Sequence, residues 1–233
     1  MQPIKYGYTP DLCRDILKQP HSLIAGATGS GKSVLINALI YTALYQHPNR
    51  CRFILIDPKR VELMQYKQLP HTIKYASEPA DILKALNLAV QIMENRFRAM
   101  QAQGQKKTAE GNLYIIIDEF ADLMTTQKHS TTPQICRIAQ LGRAAGVHLI
   151  IATQRPTKDI ITGQIKVNID CRVALRCPTA QDSRNIINYK GAELLPRYGM
   201  GYYLTPETMR PELWEIPIIE DDAIKKIIEY WTI

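Results

Sequence analysis

Five short apolar segments, rich in β-branched residues, constrain the fold of this chain most strongly. They are continuous apolar runs, and longer segments with helical spacing separate them. A strand that is apolar on both faces has to be covered on both faces, as strands are in a parallel sheet packed between helices. The sequence therefore predicts an α/β fold with a mostly parallel sheet and helices on both faces. The predicted strands are 22–25, 53–56, 113–117, 147–152 and 171–175.

The segments between these runs predict helices and loops. The first helix is apolar on nearly every side, which indicates deep packing. Another has apolar residues at helical spacing that fit a core-facing stripe. The expected helices cover 32–46, the segment from an N-cap at Ser77 to Met100, and 132–143 with Gly146 as its terminator; the expected loops cover 104–111 and 125–133.

Composition narrows the class of protein. Hydrophobic residues make up 45% of the 233 residues and charged residues 22%, which is ordinary for a soluble globular chain and excludes a disordered or coiled-coil one. Apolar runs fall far short of the ~20 residues that span a bilayer, and no secretion signal is evident. We expect a cytoplasmic protein, membrane-tethered only if the chain is a fragment of a longer one. We also expect residues 1–19 to be a short segment packed on a core domain of residues 20–233.

Charge and cysteine content point to the partner and the compartment. The net charge of +7 favours an anionic partner such as nucleic acid or nucleotide, although many proteins with a mild positive excess bind no polymer. The five cysteines include no Cys-x-x-Cys pair. This pattern argues against a zinc site or a disulfide framework and fits a reducing compartment.

One motif predicts a phosphate-binding loop. It matches G-x-x-x-x-G-K-[ST] and lies between the first predicted strand and the first long helix. Its glycines let backbone N–H groups surround a phosphate at a helix N-terminus. Lys32 is expected to reach the β- and γ-phosphates of ATP, and the Ser33 hydroxyl to ligate Mg²⁺. The motif consists of Gly26, Ala27, Thr28, Gly29, Ser30, Gly31, Lys32 and Ser33.

Two carboxylates follow the third predicted strand. Asp118 would lie at the carboxyl edge of the sheet, where α/β proteins bind ligands, and could complete the Mg²⁺ site. Glu119 would then be placed to polarise the attacking water, which suits ATP hydrolysis. The alternative is that the two acids only cap the next helix.

Two further residues are candidates with strong alternatives. Gln154 follows the fourth predicted strand, so its side chain could lie near the γ-phosphate, or it could be an ordinary polar strand exit. Arg143 has no acid at i−3 or i−4 and could be a finger directed at a neighbouring subunit's ATP. Without further context, a solvated surface arginine is the better interpretation of Arg143.

Several blocks in order along the chain resemble the FtsK/SpoIIIE family of ring-shaped, ATP-driven DNA translocases. The resemblance implies a RecA-like P-loop core and a homohexameric ring around double-stranded DNA. It makes Arg143 the finger acting in trans, Gln154 the γ-phosphate sensor, and Val34 part of the nucleotide site. It also implies that two stretches, 155–168 and 177–184, are pore loops carrying Arg155, Lys166 and Arg184 toward DNA. The blocks are 20–21, 23–34, 55–63, 118–124, 152–156, 160–163, 165–166, 182–184 and 191–195.

The chain departs from the family pattern at three places. The insertion before the third predicted strand shrinks to 104–111, Ala180 stands where a basic residue is usual, and Gly199-Met200-Gly201 replaces Gly-Asp-Met. The leading hypothesis is an ATP-dependent translocase of double-stranded DNA. The rivals are a type VII-like protein secretion ATPase, a conjugative coupling or DNA packaging motor, and a non-enzymatic P-loop assembly module.

Overall fold

A computed structural model describes residues 10–232, and a mixed sheet forms the centre of that part of the chain. Its strands are β1 (His21–Ala25), β2 (Cys51–Ile56), β3 (Thr72–Ala76), β4 (Asn112–Ile117), β5 (Val147–Thr153), β6 (Cys171–Leu175), β7 (Met200–Leu204) and β8 (Glu212–Glu215). Their order across the sheet is β3-β2-β4-β5-β1-β6-β7-β8. The first six in that order run parallel, and β7 and β8 add an antiparallel edge beside β6.

Helices cover both faces of the sheet. They are α1 (Asp11–Lys18), α2 (Lys32–Gln46), α3 (Pro79–Ala102), α4 (Phe120–Thr126), α5 (Lys128–Leu141), α6 (Gly163–Asn168), α7 (Ala180–Ile187) and α8 (Asp221–Thr232). Three 3₁₀ turns lie at 48–50, 64–66 and 192–194. Along β4, Leu113, Ile115 and Ile117 face one apolar cluster, with α3 to α7. Tyr114 and Ile116 face the second cluster, with α1, α2 and α8. Both faces of the central strands are therefore buried.

The predicted fold class is confirmed, and the strands buried on both faces appear where their apolar runs lie. The α2 helix has the predicted bounds. The sequence reasoning missed β3, β7 and β8, which lie toward the two edges of the sheet. Edge strands are less buried, so their residues do not form continuous apolar runs; β3 has only one buried residue.

The predicted loop at 125–133 is wrong, because α4 continues to Thr126 and α5 begins at Lys128. The threonines that suggested a loop are satisfied inside the helices. The Thr125, Thr126 and Thr131 hydroxyls each donate to the carbonyl four residues earlier, at 2.8, 2.7 and 2.9 Å.

Two helix ends also differ from the prediction. The N-cap of α3 is Glu78 rather than Ser77, and Pro79 occupies the first helical position. The α5 helix ends at Leu141 with Gly142 as C-cap, so Arg143 lies in the turn before β5. Gly146 closes that turn in the left-handed conformation, at φ +61°.

The α1 helix packs on α2 and buries Leu12, Cys13 and Ile16 in the second apolar cluster. The N-terminal segment predicted at 1–19 lies partly outside the described residues. The proposed boundary between residues 19 and 20 therefore remains a prediction.

Candidate functional site: a phosphate loop at the carboxyl edge of the sheet

The loop between β1 and α2 has the backbone that its glycines predict. Gly29 and Gly31 adopt φ +74° and +100°, and Gly31 is the N-cap of α2. A Cβ on Gly26 would lie 2.6 Å from both Leu175 Cβ and Ser30 Oγ, so no larger residue fits there. The loop thus brings its backbone and the N-terminus of a long helix to one point, as an anion site requires.

Lys32 and Asp118 form a buried ion pair beside this loop. The Lys32 ammonium donates to Asp118 Oδ1, and both residues are almost fully buried. Burial raises the pKa of the Asp118 carboxyl, while Lys32 opposes that rise and the nearby Asp57 and Glu62 carboxylates add to it. The pair places a cation and a carboxylate at the loop, as the sequence predicts for a phosphate and metal site.

Glu119 is held by three donors. Its carboxylate accepts from the Thr153 hydroxyl at 2.9 Å, the Gln154 backbone N–H at 3.2 Å and Lys59 Nζ at 3.3 Å. Glu119 is the N-cap residue of α4, yet its side chain makes no capping bond. The carboxylate therefore serves the crevice between strand ends rather than the helix.

Sequence reasoning gave Lys59 no role in the site. It follows β2, which pairs with β4, so its side chain meets Glu119 at the same sheet edge. The signal was available in the polar stretch that begins at Asp57 directly after a buried strand. Without the strand order, however, nothing indicated that β2 and β4 are neighbours.

Gln154 lies against the phosphate loop. Its Oε1 accepts from the Thr28 hydroxyl at 2.7 Å. Gln154 also lines one cavity with Ser33 and Val34 from the first turn of α2. The structure thus brings the predicted residues Lys32, Ser33, Val34, Asp118, Glu119 and Gln154 together at one edge of the sheet.

Arg143 lies at the opposite edge. It precedes β5, whereas Gln154 follows it, and seven residues of extended chain span roughly 20 Å. Arg143 is exposed and lines a pocket with Arg50 and Lys107. Among residues 10–232 its guanidinium has no hydrogen bond or ion pair. Arg143 therefore cannot reach the phosphate loop of its own chain.

The predicted DNA-contacting residues fall into two places. Lys166 Nζ donates to the Arg184 carbonyl at 3.3 Å, so these two cationic residues are neighbours. Arg155 lies elsewhere, exposed, 3.5 Å from Asp122 Oδ1. The stretches predicted to be pore loops are not wholly loops, since they contain α6 and the start of α7.

The donor chemistry fits a hard cation such as Mg²⁺. Within residues 10–232 no group of three or more His, Cys, Asp or Glu side chains could hold a metal ion by itself. Mg²⁺ is usually held by one or two protein oxygens together with substrate phosphates. The Ser33 hydroxyl and the Asp118 carboxylate, next to the phosphate loop, are such a set. In the same part of the chain no helix combines the length and apolarity that crossing a membrane would need.

A model of the FtsK/SpoIIIE family matches residues 9–115 and 103–158. DNA translocase FtsK 1 of Neisseria meningitidis is 35% identical over 250 residues, covering 93% of this chain and 31% of the relative. DNA translocase FtsK of Helicobacter pylori is 40% identical over 231 residues, covering 93% and 27%. The chain thus spans about a third or less of the length of these relatives.

Solved structures with the same fold include a conjugation coupling protein and a secretion ATPase. The conjugation coupling protein TcpA of pCW3, as a monomer with ATPγS, aligns with a TM-score of 0.81 and 26% identity, covering 93% of this chain and 66% of TcpA. The cytoplasmic domain of the type VII secretion ATPase EccC from Thermomonospora curvata aligns with a TM-score of 0.79 and 23% identity, covering 92% and 28%. The second likeness concerns the fold alone.

Proposed function

Because this chain belongs to the FtsK/SpoIIIE family, we propose that it hydrolyses ATP to move double-stranded DNA and works as a homohexameric ring. The observation that carries the proposal is the convergence of Lys32, Asp118, Glu119 and Gln154 at one sheet edge. A loop that only bound an anion would not need a buried acid held beside it. The non-enzymatic alternative leaves that acid without a purpose.

The positions of these side chains support the proposed hydrolysis. ATP phosphates enter the loop at the N-terminus of α2, where Lys32 turns from Asp118 toward the β- and γ-phosphates. The Ser33 hydroxyl and the freed Asp118 carboxylate would hold Mg²⁺, which supplies charge neutralisation on the phosphates. Glu119 accepts a proton from the attacking water, and Gln154 contacts the γ-phosphate.

A ring accounts for Arg143. Its guanidinium is exposed at the edge opposite the phosphate loop and lies beside Arg50 and Lys107, so it is free to meet another subunit's nucleotide. Head-to-tail association joins two different surfaces of like subunits, and in the proposed ring these are the amino edge of one sheet and the carboxyl edge of the next. Arg143 would then stabilise charge on the neighbour's transferring phosphoryl group.

Lys166 and Arg184 are the best candidates for contact with the DNA backbone. They come from α6 and α7 and lie next to each other. Burial, together with the Arg172 and Lys158 cations, lowers the pKa of Lys166, so an added phosphate anion would be favourable there. Six copies of such a pair would hold a duplex through its phosphates without reading its sequence.

The experiment is ATPase turnover with and without duplex DNA across a salt series. We expect duplex DNA of any sequence to stimulate turnover, and the apparent affinity to fall with a log–log slope of ~−0.9 per phosphate contacted. Lys166→Ala/Arg184→Ala should flatten the slope and uncouple stimulation while basal turnover survives. Lys84→Ala/Lys225→Ala removes the same charge from exposed positions on α3 and α8 and serves as the control. Equal slopes in both double variants would mean that the DNA path does not include Lys166 and Arg184.

Conjugative DNA transfer is a second candidate process, favoured by the likeness to TcpA at 26% identity. It shares the chemistry proposed here and differs in the partner that delivers the DNA. A protein-secreting role would instead give turnover that polypeptide stimulates and duplex DNA does not, so the same assay separates it.

A further inference from the structure

Tyr198 is a large aromatic residue that the hydrolysis described above does not use. About 60% of it is exposed. Among residues 10–232 its hydroxyl makes no hydrogen bond. A singly exposed aromatic residue is ordinary, so it is the position of Tyr198 beside the phosphate loop that singles it out.

The ring lies against the phosphate loop. A Cβ on Gly29 would be 3.9 Å from Tyr198 Cε1 and 3.8 Å from Arg197 Nη2. Tyr198 also lines the cavity formed by Gly31, Ser33 and Val34 at the start of α2. The ring therefore borders the space that a nucleotide must occupy once its phosphates enter the loop.

The backbone that carries this ring is anchored on both sides, and Arg197 contacts the ring itself. The Arg197 guanidinium lies over it, 5.3 Å from the ring centroid. The next residue, Gly199, accepts a hydrogen bond from the Ile216 N–H at 2.9 Å. Leu195, three residues earlier, is buried in the core. Anchors on both sides reduce the conformational entropy that this segment loses when a ligand orders it.

Val34 supplies a second apolar surface at the same cavity. Most apolar side chains of α2 are buried, yet Val34 in its first turn is 37% exposed. The polar part of the site therefore lies at the loop and at Gln154, and an apolar part lies at Val34 and Tyr198. A molecule with a triphosphate at one end and a flat aromatic group at the other matches this division.

We propose that the Tyr198 ring, steadied by Arg197 and accompanied by Val34, is the subsite for the base of a nucleoside triphosphate; this rests on the proposed function. Stacking on an aromatic ring is tolerant of base identity, because every base presents a π-face. The subsite adds affinity to ATP and GTP alike. It gives no contact to a ligand that has phosphates and no base.

The test compares ATP with inorganic tripolyphosphate, both titrated calorimetrically into the full chain in the presence of Mg²⁺. Tyr198→Ala should weaken ATP binding by roughly five- to a hundredfold, the range typical of removing a base-stacking aromatic residue. Binding of tripolyphosphate should stay within about twofold of wild type. Tyr198→Phe keeps the ring and should keep ATP affinity. Tyr230→Ala removes a comparably exposed tyrosine from α8 and is the matched control.

Each of the other outcomes overturns either the subsite or the proposed function, and the outcomes can be told apart. Equal loss of ATP and tripolyphosphate binding would place Tyr198 on the phosphates. Unchanged ATP binding in Tyr198→Ala would remove it from the site. If the wild-type chain binds neither ATP nor tripolyphosphate, the proposed function itself is overturned. That result is read from the wild type, so it is distinct from any result of the Tyr198 variants.

Discussion

At the scale of single residues, the site is a set of polar side chains that meet because parallel strands end at a common edge. That rule alone predicted that Asp118, Glu119 and Gln154 lie near the phosphate loop, since each follows a buried run in the sequence. The rule does not give contacts. The Lys59 to Glu119 ion pair depends on the order of β2 and β4, and no local pattern of residues reports strand order.

Substitutions of Lys32 in the loop and of the acid Glu119 are predicted to have different effects. Lys32→Ala removes the lysine of the phosphate loop, and it leaves Asp118 buried without its partner. We expect loss of ATP binding and some loss of stability, because a buried charge without a partner is costly. Glu119→Gln keeps the shape and leaves the loop intact, so ATP should bind while turnover falls by at least ~100-fold, the size of a general-base contribution.

Nucleotide binding and single-turnover hydrolysis measured on both variants check this prediction. Glu119→Asp is the matched variant that keeps the charge and shortens its reach. Normal turnover in Glu119→Gln would remove Glu119 as the base and leave Gln154 or a water network to orient the nucleophile.

At the scale of elements, the sequence predicts the strands that are buried on both faces and misses the strands that are not. The runs of β1, β2, β4, β5 and β6 are mostly apolar because helices cover both faces, and this pattern is typical of strands in a parallel sheet. The strands toward the edges, β3, β7 and β8, mix exposed and buried residues, so the same reasoning cannot separate them from loops. The threonines of α4 and α5 misled for a related reason, since their hydroxyls bond within the helix.

His21 lies in β1, where β1 pairs with β5, and it should make the free energy of unfolding depend on pH. His21 is buried and its Nδ1 accepts from the Leu149 N–H at 3.1 Å. Burial, with the neighbouring His148, lowers the pKa of His21 from 6.5 to about 3. Between these two values the unfolded chain takes up a proton that the folded chain does not. Stability should therefore fall as the pH drops below about 6.5, by ~1.4 kcal/mol per pH unit from this residue.

Urea unfolding at several pH values between 4 and 7 measures this slope. His21→Asn keeps an acceptor for the Leu149 N–H and removes the titrating group, so its slope should be smaller than that of wild type by about one proton. His148 remains in both proteins, and burial lowers its pKa as well, so the variant keeps part of the slope. Identical slopes would mean that His21 does not control the acid sensitivity.

At the scale of the whole molecule, the two edges of the sheet carry the two parts of the proposed reaction centre. The carboxyl edge has the phosphate loop, the acid and Gln154, whereas the amino edge has exposed Arg143 beside Arg50 and Lys107. Local sequence context favoured a solvated arginine, and only the family resemblance made Arg143 the finger acting in trans. The fold separates Arg143 from its own loop by the length of β5, so the proposed finger role requires a second subunit.

Mixing two inactive variants tests that division. Arg143→Ala should bind ATP normally and hydrolyse it poorly, and Lys32→Ala should not bind it. In a ring assembled from equal amounts of both, about a quarter of the interfaces join an intact loop on one subunit to an intact Arg143 on the next. Those interfaces should recover activity, because a finger acts on its neighbour's phosphoryl group and not on its own. The measurement is turnover against mixing ratio, with Arg143→Ala mixed with Arg143→Ala/Lys32→Ala as the control that cannot complement. Full activity of Arg143→Ala, or mixtures no more active than that control, would show that no arginine crosses the interface from this turn.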